Sequence, residues 1–242
     1  MIFTDIKNGR FYNEDCFDAM REIPDGVIDM VLCDLPYGTT QNKWDSVLPL
    51  DKLWAEYWRV CKPNAAIVLT AQPPFDKSLG VSQIDFLKYE WIWEKTAASG
   101  HLNAKKQPMK AHENVLVFYK EQCLYNPQFE EGKAYTQKSG RASSNYGDQV
   151  QVVTENDGKR YPKSVQRFAR DKDRIHPTQK PVKLWEYLIK TYTNEGELVL
   201  DNTAGSGTTA IAAINTNRKW VCIEKDETYY GKAIERIINH NV

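Results

Sequence analysis

Short apolar runs alternate with stretches of helical spacing along most of this chain, and that alternation predicts its elements. Ile28-Asp29-Met30-Val31-Leu32-Cys33 reads as a buried strand, and Ala65 to Thr70 as another. Between them, Leu48 to Cys61 repeats Leu50, Leu53, Trp54, Tyr57 and Trp58 at the spacing of one helix face. Near the other end, Pro181 to Tyr192 predicts a helix, Leu198 to Leu200 a strand, Thr208 to Asn215 a helix, Trp220 to Ile223 a strand and Tyr229 to Asn239 a helix. Strand-helix-strand order in both blocks predicts an α/β fold with a mostly parallel sheet and helices on both faces. The centre reads differently. Tyr89 to Trp93 and Asn114 to Tyr119 are strand candidates suited to an antiparallel edge, the second behind a polar, Lys-rich linker from Ala104 to His112. Residues 121–175 are rich in Gly, Ser, Asn, Gln and charge and too long for an ordinary loop, so an insertion is expected there, interrupting one domain made of residues 1–120 and 176–242.

Composition sharpens this outline. With 242 residues, 41% hydrophobic and 12% aromatic, the chain can build one main core and line a pocket. No apolar run approaches the roughly eighteen residues of a membrane span, and the first residues lack a basic segment followed by an apolar one, so no membrane association and a cytoplasmic location are expected. Cys16, Cys33, Cys61, Cys123 and Cys222 are scattered without metal-ligand spacing, which predicts reduced thiols and no metal site. Net charge is zero, but residues 95–185 hold 17 Lys and Arg against 9 Asp and Glu. Within them Lys159, Arg160, Lys163, Arg167, Arg170, Lys172 and Arg174 are interleaved with Tyr161 and Phe168, a pattern suited to phosphate contact and base stacking, or to a solvated loop.

Two segments carry candidate chemistry. Asp201-Asn202-Thr203-Ala204-Gly205-Ser206-Gly207-Thr208 leaves an apolar strand and opens a helix, where glycines let backbone approach a ligand. Glu224 ends the next strand, 23 residues beyond Asp201, a position that suits ribose hydroxyls. Ala210 stands where a dinucleotide fingerprint needs its third glycine, so an adenosyl ligand without a pyrophosphate is favoured over NAD. The second segment is Asp34-Leu35-Pro36-Tyr37-Gly38, at the carboxyl end of an apolar strand. The Asp34 carboxylate and the Leu35 carbonyl are acceptors suited to the two hydrogens of a delocalised exocyclic amine, Pro36 fixes the turn, and Tyr37 offers a face to an extruded base. An unremarkable Asp-x-Pro turn is the competing reading.

With these residues in hand, the chain resembles the beta-class amino methyltransferases of DNA over nearly its whole length. Asp34-Leu35-Pro36-Tyr37 is similar to their Asp-Pro-Pro-Tyr motif, and Asn202 to Thr208 to their Pro-Phe-x-Gly-Ser-Gly-Thr. His176-Pro177-Thr178-Gln179-Lys180-Pro181 is the most family-specific string, and His112 to Lys120 looks like their His-Glu strand. The resemblance implies a Rossmann-like fold and S-adenosyl-L-methionine as cofactor, with Asp15 and Cys16 near the adenine, Glu224 and Lys225 near the ribose, and His176, Thr178 and Lys180 leading into the helix beside its methionine part. It also implies a target-recognition role for residues 121–175 and double-stranded DNA as partner, with a homodimer and a cognate restriction endonuclease as further candidates. Asp15 reads equally well as a helix N-cap, Lys180 as a helix-start cation and His176 as a turn residue. Trp44 and Asp45 are candidates for the wall of a base pocket, although a packed loop tryptophan is the favoured reading of Trp44. Leu35 replaces the family's first proline but keeps its carbonyl, and Thr203 replaces a phenylalanine, a change that bears on cofactor affinity and the shape of the methionine pocket.

Asp34 favours N6 of adenine over N4 of cytosine, where the family more often carries Ser. Methylation of RNA or protein glutamine, or DNA binding without catalysis, are the alternatives. C5-cytosine methylation is set aside because no Pro-Cys dipeptide supplies its nucleophile.

Overall fold

The computed structural model of the protein describes residues 2–39, 45–139 and 152–240. The elements in chain order begin with β1 (Ile2–Ile6), β2 (Gly9–Asn13), α1 (Cys16–Met20), β3 (Ile28–Asp34), α2 (Leu50–Val60), β4 (Cys61–Ala71), α3 (Phe75–Ser82), β5 (Leu87–Ser99) and β6 (Lys110–Phe118). They continue with β7 (Glu130–Glu131), β8 (Tyr135–Ser139), β9 (Val152–Asn156), β10 (Lys159–Arg160), β11 (Val165–Phe168), α4 (Val182–Tyr192), β12 (Leu198–Asp201), α5 (Thr208–Asn215), β13 (Lys219–Ile223) and α6 (Glu227–Asn239).

The larger of two compact units comprises residues 1–126 and 164–242 and is built on a nine-stranded sheet in the order β1-β2-β13-β12-β3-β4-β6-β5-β11. Its centre, from β2 to β4, is parallel, and β6 turns the sheet antiparallel against β4 and β5, the antiparallel pairing expected from the sequence, although β11 and not β5 forms the edge. The chain leaves β3 through α2 toward β4 and leaves β12 through α5 in the opposite direction toward β13. Neighbouring strands whose connections diverge leave a crevice beyond their carboxyl ends, where ligands of open α/β sheets bind. Asp34 and Asp201 are the last residues of those two strands.

Both faces of the sheet are covered. Met30 and Leu32 of β3 face one core with Leu184, Trp185 and Leu188 of α4, the alanines of α5, and Ala233 and Ile237 of α6. Val31 and Cys33 face the other, with Met20 of α1, Leu53, Trp54 and Tyr57 of α2, and Leu79 of α3. Alternate residues of one strand thus anchor opposite layers, as period-two geometry requires. The spacing Leu53, Trp54, Tyr57, Val60 buries one stripe of α2, and the Asp226 carboxylate caps α6 by accepting from the backbone of Thr228 and Tyr229.

The second unit, residues 127–163, is narrower than the insertion expected over 121–175. It contains the antiparallel pairs β7–β10 and β8–β9. The flanks of the expected insertion belong to the larger unit for physical reasons. Cys123 is buried in the core, and the Asn126 amide donates to the Thr191 carbonyl at 2.8 Å. Val165 to Phe168 adds β11 parallel to β5, with the Phe168 ring 5.6 Å from that of Tyr187. The strand β6 likewise starts at Lys110, inside the segment expected to be a linker.

Candidate active site

A cavity of about 780 Å³ opens at the crevice between β3 and β12, within the range of small-molecule clefts, about 300–1,000 Å³. It reaches from Asp15, Glu224 and Lys225 at one end to Tyr37, Lys95 and Glu113 at the other.

At the first end the sequence-expected residues come together, several of them tied to one another. Asp15 caps α1 by accepting from the Phe17 amide at 3.0 Å, and its second oxygen lies 3.1 Å from Lys225 Nζ, so its capping role is realised. Cys16 follows it in the wall, its thiol pushed up to about 11 by burial. Glu224 accepts from the Gly205 amide through one oxygen and the Asp226 amide through the other, both at 2.8 Å, which leaves acceptor capacity on each. Burial raises its carboxyl. Gly205 adopts φ +51°, a conformation that a side chain makes costly, and a Cβ there would point toward the His176 ring.

Asp201 is buried and pushed up to about 6 by loss of solvent, although it accepts from Thr209 Oγ1 at 2.5 Å and the Thr203 amide at 3.1 Å. Asn202 accepts from Tyr57 at 2.5 Å, while its buried Nδ2 has no oxygen or nitrogen partner among the described residues and only the thiol of Cys16 nearby. An orphaned donor in the wall, two carboxylates with spare acceptor capacity and a glycine turn of open backbone suit a nucleoside-bearing ligand. His176, its basicity lowered first of all by burial, takes the Thr178 backbone and hydroxyl at Nδ1 and packs edge-on against Tyr229 at 4.2 Å.

Three residues of the glycine segment have structural duties. The Ser206 and Thr208 hydroxyls pair at 3.1 Å and are held by Arg236, although both residues still touch the cavity. Gly207, expected at the cofactor, is not part of the wall. Its φ is +69° and a Cβ would press on Phe11, Ala233 and Ile237, so this glycine serves packing of α5 against α6 and β2.

At the catalytic end, Asp34 is the hub. Oδ1 accepts from Tyr37 at 2.6 Å and from Thr70 of β4 at 2.5 Å, while Oδ2 meets Lys180 Nζ at 2.5 Å. Two bonds at Oδ1 and one at Oδ2 leave one acceptor position on Oδ2. Leu35 is buried beneath the turn and Pro36 lines the cavity. One face of the Tyr37 ring stacks on Phe75 at 5.5 Å, and Lys180 Nζ lies 5.6 Å from the ring centroid. Burial, followed by the charges of Asp34 and Glu113, raises the phenol well above its ordinary value, so it remains a hydrogen-bond donor. Asp45 accepts from the amides of Gly38 and Thr39 and so braces the loop after the turn. Trp44 lies outside the described residues.

The sequence reading placed Lys180 with the cofactor. The structure puts its ammonium between Asp34 and Glu113 of β6, 3.2 Å from Glu113 Oε2. Burial pulls its basicity down, but the two carboxylates outweigh it and raise it overall. Glu113 in turn pairs with Lys95 of β5 at 2.6 Å. Burial alone would raise Glu113, yet Lys180 and Lys95 hold it below the ordinary carboxylate range. Sequence reasoning missed Lys95, Thr70 and Phe75. The signal for Lys95 was the inward register of Trp91 and Trp93, which a lysine continues.

The seven cations of the basic stretch divide between the units. Lys159, Arg160 and Lys163 belong to residues 127–163, whereas Arg167, Arg170, Lys172 and Arg174 belong to the larger unit. Arg170 and Arg174 line the cavity. Arg160 bonds Asn156 and the Lys133 carbonyl and lies 4.6 Å over the Tyr135 ring, so it organises its own unit.

Comparisons with known proteins converge on one group. The family model for "DNA methylase" named N6_N4_Mtase matches residues 28–235. The chain is 27% identical to the DNA adenine methyltransferase YhdJ of Escherichia coli (strain K12), covering 97% of this chain and 86% of that protein. Its fold is similar to that of M1.HpyAVI in its SAM complex, with a TM-score of 0.67 at 22% identity over 94% of this chain and 99% of that one. It is similar also to the PvuII DNA methyltransferase, described as cytosine-N4-specific, with a TM-score of 0.70 at 17% identity over 97% and 88% of the two chains.

Proposed function

This chain belongs to the N6/N4 DNA methylase family, and on that premise we propose that it moves a methyl group from S-adenosylmethionine to the N6 amine of an adenine extruded from duplex DNA. One observation carries the reading. Asp34, at the carboxyl end of β3, is held by three donors that leave an acceptor position on Oδ2 beside the aromatic ring of Tyr37.

The cofactor supplies an electrophilic methyl group on a sulfonium sulfur. Glu224 would hold its ribose hydroxyls, with Asp15, Lys225 and the backbone of Gly205 toward the adenosine end, and Thr203, Thr178 and His176 would border the methionine end. Asp34 Oδ2 and the Leu35 carbonyl each accept one amine hydrogen. Accepting both hydrogens draws the nitrogen lone pair out of conjugation and directs it at the methyl carbon, which is orientation and electrostatic preorganisation rather than covalent catalysis. The Tyr37 ring, backed by Phe75 on one face, offers the face bordered by Lys180 Nζ to the extruded base. On gaining the methyl group the amine would become positively charged, and Asp34 Oδ2 would accept the one proton it sheds. Residues 127–163 read the DNA sequence, with the exposed cations Lys159 and Lys163 on that unit and Arg167 and Lys172 on the larger one facing phosphates.

Transfer of labelled methyl from S-adenosylmethionine to mixed-sequence duplex DNA, followed by nucleoside analysis, tests the reading. N6-methyladenine supports it, N4-methylcytosine keeps the mechanism but overturns the base, and unlabelled DNA overturns both. Cytosine stays as the second reading because a cytosine-N4-specific enzyme shares the fold.

A further inference from the structure

Three buried charges and the part-buried Asp34 run in a row from the antiparallel half of the sheet to the catalytic turn. Lys95 Nζ lies 2.6 Å from Glu113 Oε1, Glu113 Oε2 lies 3.2 Å from Lys180 Nζ, and Lys180 Nζ lies 2.5 Å from Asp34 Oδ2. Side-chain exposure along the row is 2%, 8%, 7% and 22%. Removing charges from water is costly, and well-packed apolar side chains would often serve the fold as well or better. Packing does not call for charge here, because Trp91 and Trp93 fill the neighbouring inward positions of β5 with apolar surface. What distinguishes the row is where it ends, on the carboxylate that meets the substrate.

We propose that Glu113 and Lys95 are positioning residues for methyl transfer: Lys95 fixes Glu113, and Glu113 holds Lys180 on Asp34 Oδ2, which aims that oxygen's remaining lone pair at the target amine. The inference rests on the methyl-transfer reading. An ammonium has three donors on a flexible stem, so a single carboxylate partner leaves it free to swing about that one contact. Asp34 and Glu113, reached from different strands, hold it from two sides and so fix the side from which Oδ2 is approached. The groups facing Lys180 are Asp34 of β3, Tyr37 beyond it, Glu113 of β6, Lys95 of β5 behind Glu113, and His176 on its own segment. Burial lowers the basicity of Lys180, and only the two carboxylates reverse this. Neutralising Glu113 therefore makes Lys180 lose its proton at lower pH.

The test compares Glu113→Gln, Glu113→Asp, Lys95→Met and Lys95→Arg in the full chain, with single-turnover methyl transfer followed from weakly acidic to alkaline pH. S-Adenosylhomocysteine binding is measured by calorimetry and folding by thermal melting. Glu113→Gln is expected to slow transfer about 10- to 100-fold, with the KM for DNA and the cofactor-product affinity within about threefold, because misaiming acts on the reacting geometry alone. The alkaline limb of its profile moves to lower pH, and Glu113→Asp recovers part of the rate. Lys95→Met is expected to slow transfer by about 3- to 10-fold, with Lys95→Arg recovering and the alkaline limb of the Met variant moving to higher pH because a cation near Lys180 is lost, and it carries the test if Glu113→Gln does not fold. An unmoved alkaline limb, or a loss of cofactor-product affinity that matches the loss of rate, overturns the proposal. Absence of transfer by the unaltered chain overturns the methyl-transfer reading itself, a distinct failure seen before any variant is made.

Discussion

Thr203 donates its hydroxyl to the main-chain carbonyl of Asp34 across 3.0 Å, joining two turns 169 residues apart in the chain. The same hydroxyl lies 2.9 Å from Cys33 Sγ, and the Thr203 amide donates to Asp201 at 3.1 Å. The resemblance places a phenylalanine here, which has no group to make the first of these bonds. In this chain the residue proposed to border the cofactor also braces the turn that carries Asp34.

Replacing Thr203 with valine keeps the shape and removes the bond. A net hydrogen bond of about 1–1.5 kcal/mol corresponds to a five- to tenfold slower transfer step. Thr203→Ser restores most of the rate, and S-adenosylhomocysteine affinity stays within about threefold in both. Single-turnover rates beside calorimetry check this. A fall in affinity without a fall in rate would assign Thr203 to the cofactor alone.

Asp34→Ala removes the proposed amine acceptor and strands part of the Lys180 charge. Turnover is expected to drop by about 10³-fold or more. Stability is expected to fall by about 1–3 kcal/mol, less than for a wholly unpaired buried ammonium, because Glu113 remains beside Lys180. Cofactor-product binding persists. Urea denaturation and nucleoside analysis give the two readouts, and full activity in this variant would refute the mechanism.

Asp201 links stability to pH. Burial pushes it up to about 6, while an unfolded aspartate titrates near about 3.9. Between these values the folded chain keeps a proton that the unfolded chain has released, so this group's contribution falls as pH rises through the window and is level above it. The change amounts to roughly 2–3 kcal/mol. Asp201→Asn cannot titrate, so its stability relative to the unaltered protein should climb between about pH 4 and pH 6 and then flatten. Urea denaturation across that interval measures the difference. Glu224, raised by burial in both proteins, cancels, and Glu113, held low by its lysines, loses its contribution only at more acid pH.

Much of this site was legible because its residues sit at the ends of strands with unbroken apolar runs. Val31 to Asp34 and Leu198 to Asp201 declare both the strand and its terminus. In the row behind Asp34, Glu113 was legible only through the His-Glu resemblance and Lys95 only as the residue that continues the inward register of Trp91 and Trp93, since tertiary pairing alone makes a buried lysine tolerable. The β1–β2 hairpin went unread although Asn8-Gly9 is a turn signal, with Lys7 and Asn8 both at positive φ. The five residues of α1 are too few for periodicity to register. The strand β11 was masked by its setting among cations, since Val165 and Phe168 alone carry its apolar character.

The basic stretch should separate by unit. Lys172→Ala, in an exposed position, is expected to reduce the salt dependence of DNA binding by a slope of about 0.9, one phosphate contact. Arg160→Ala is expected to loosen residues 127–163 instead, since its guanidinium is committed to Asn156, Lys133 and the Tyr135 ring. Fluorescence anisotropy at several salt concentrations and limited proteolysis tell these outcomes apart.

Lys95, Glu113 and Lys180 are buried from dissolved ions, whereas the exposed cations proposed to meet phosphates are screened over about 10 Å at moderate ionic strength. Affinity and chemistry therefore answer to different solvents. A brine that strips the protein from its duplex leaves the reacting geometry intact, and a chain kept saturated with DNA should turn over at nearly the same pace in dilute buffer and in concentrated salt.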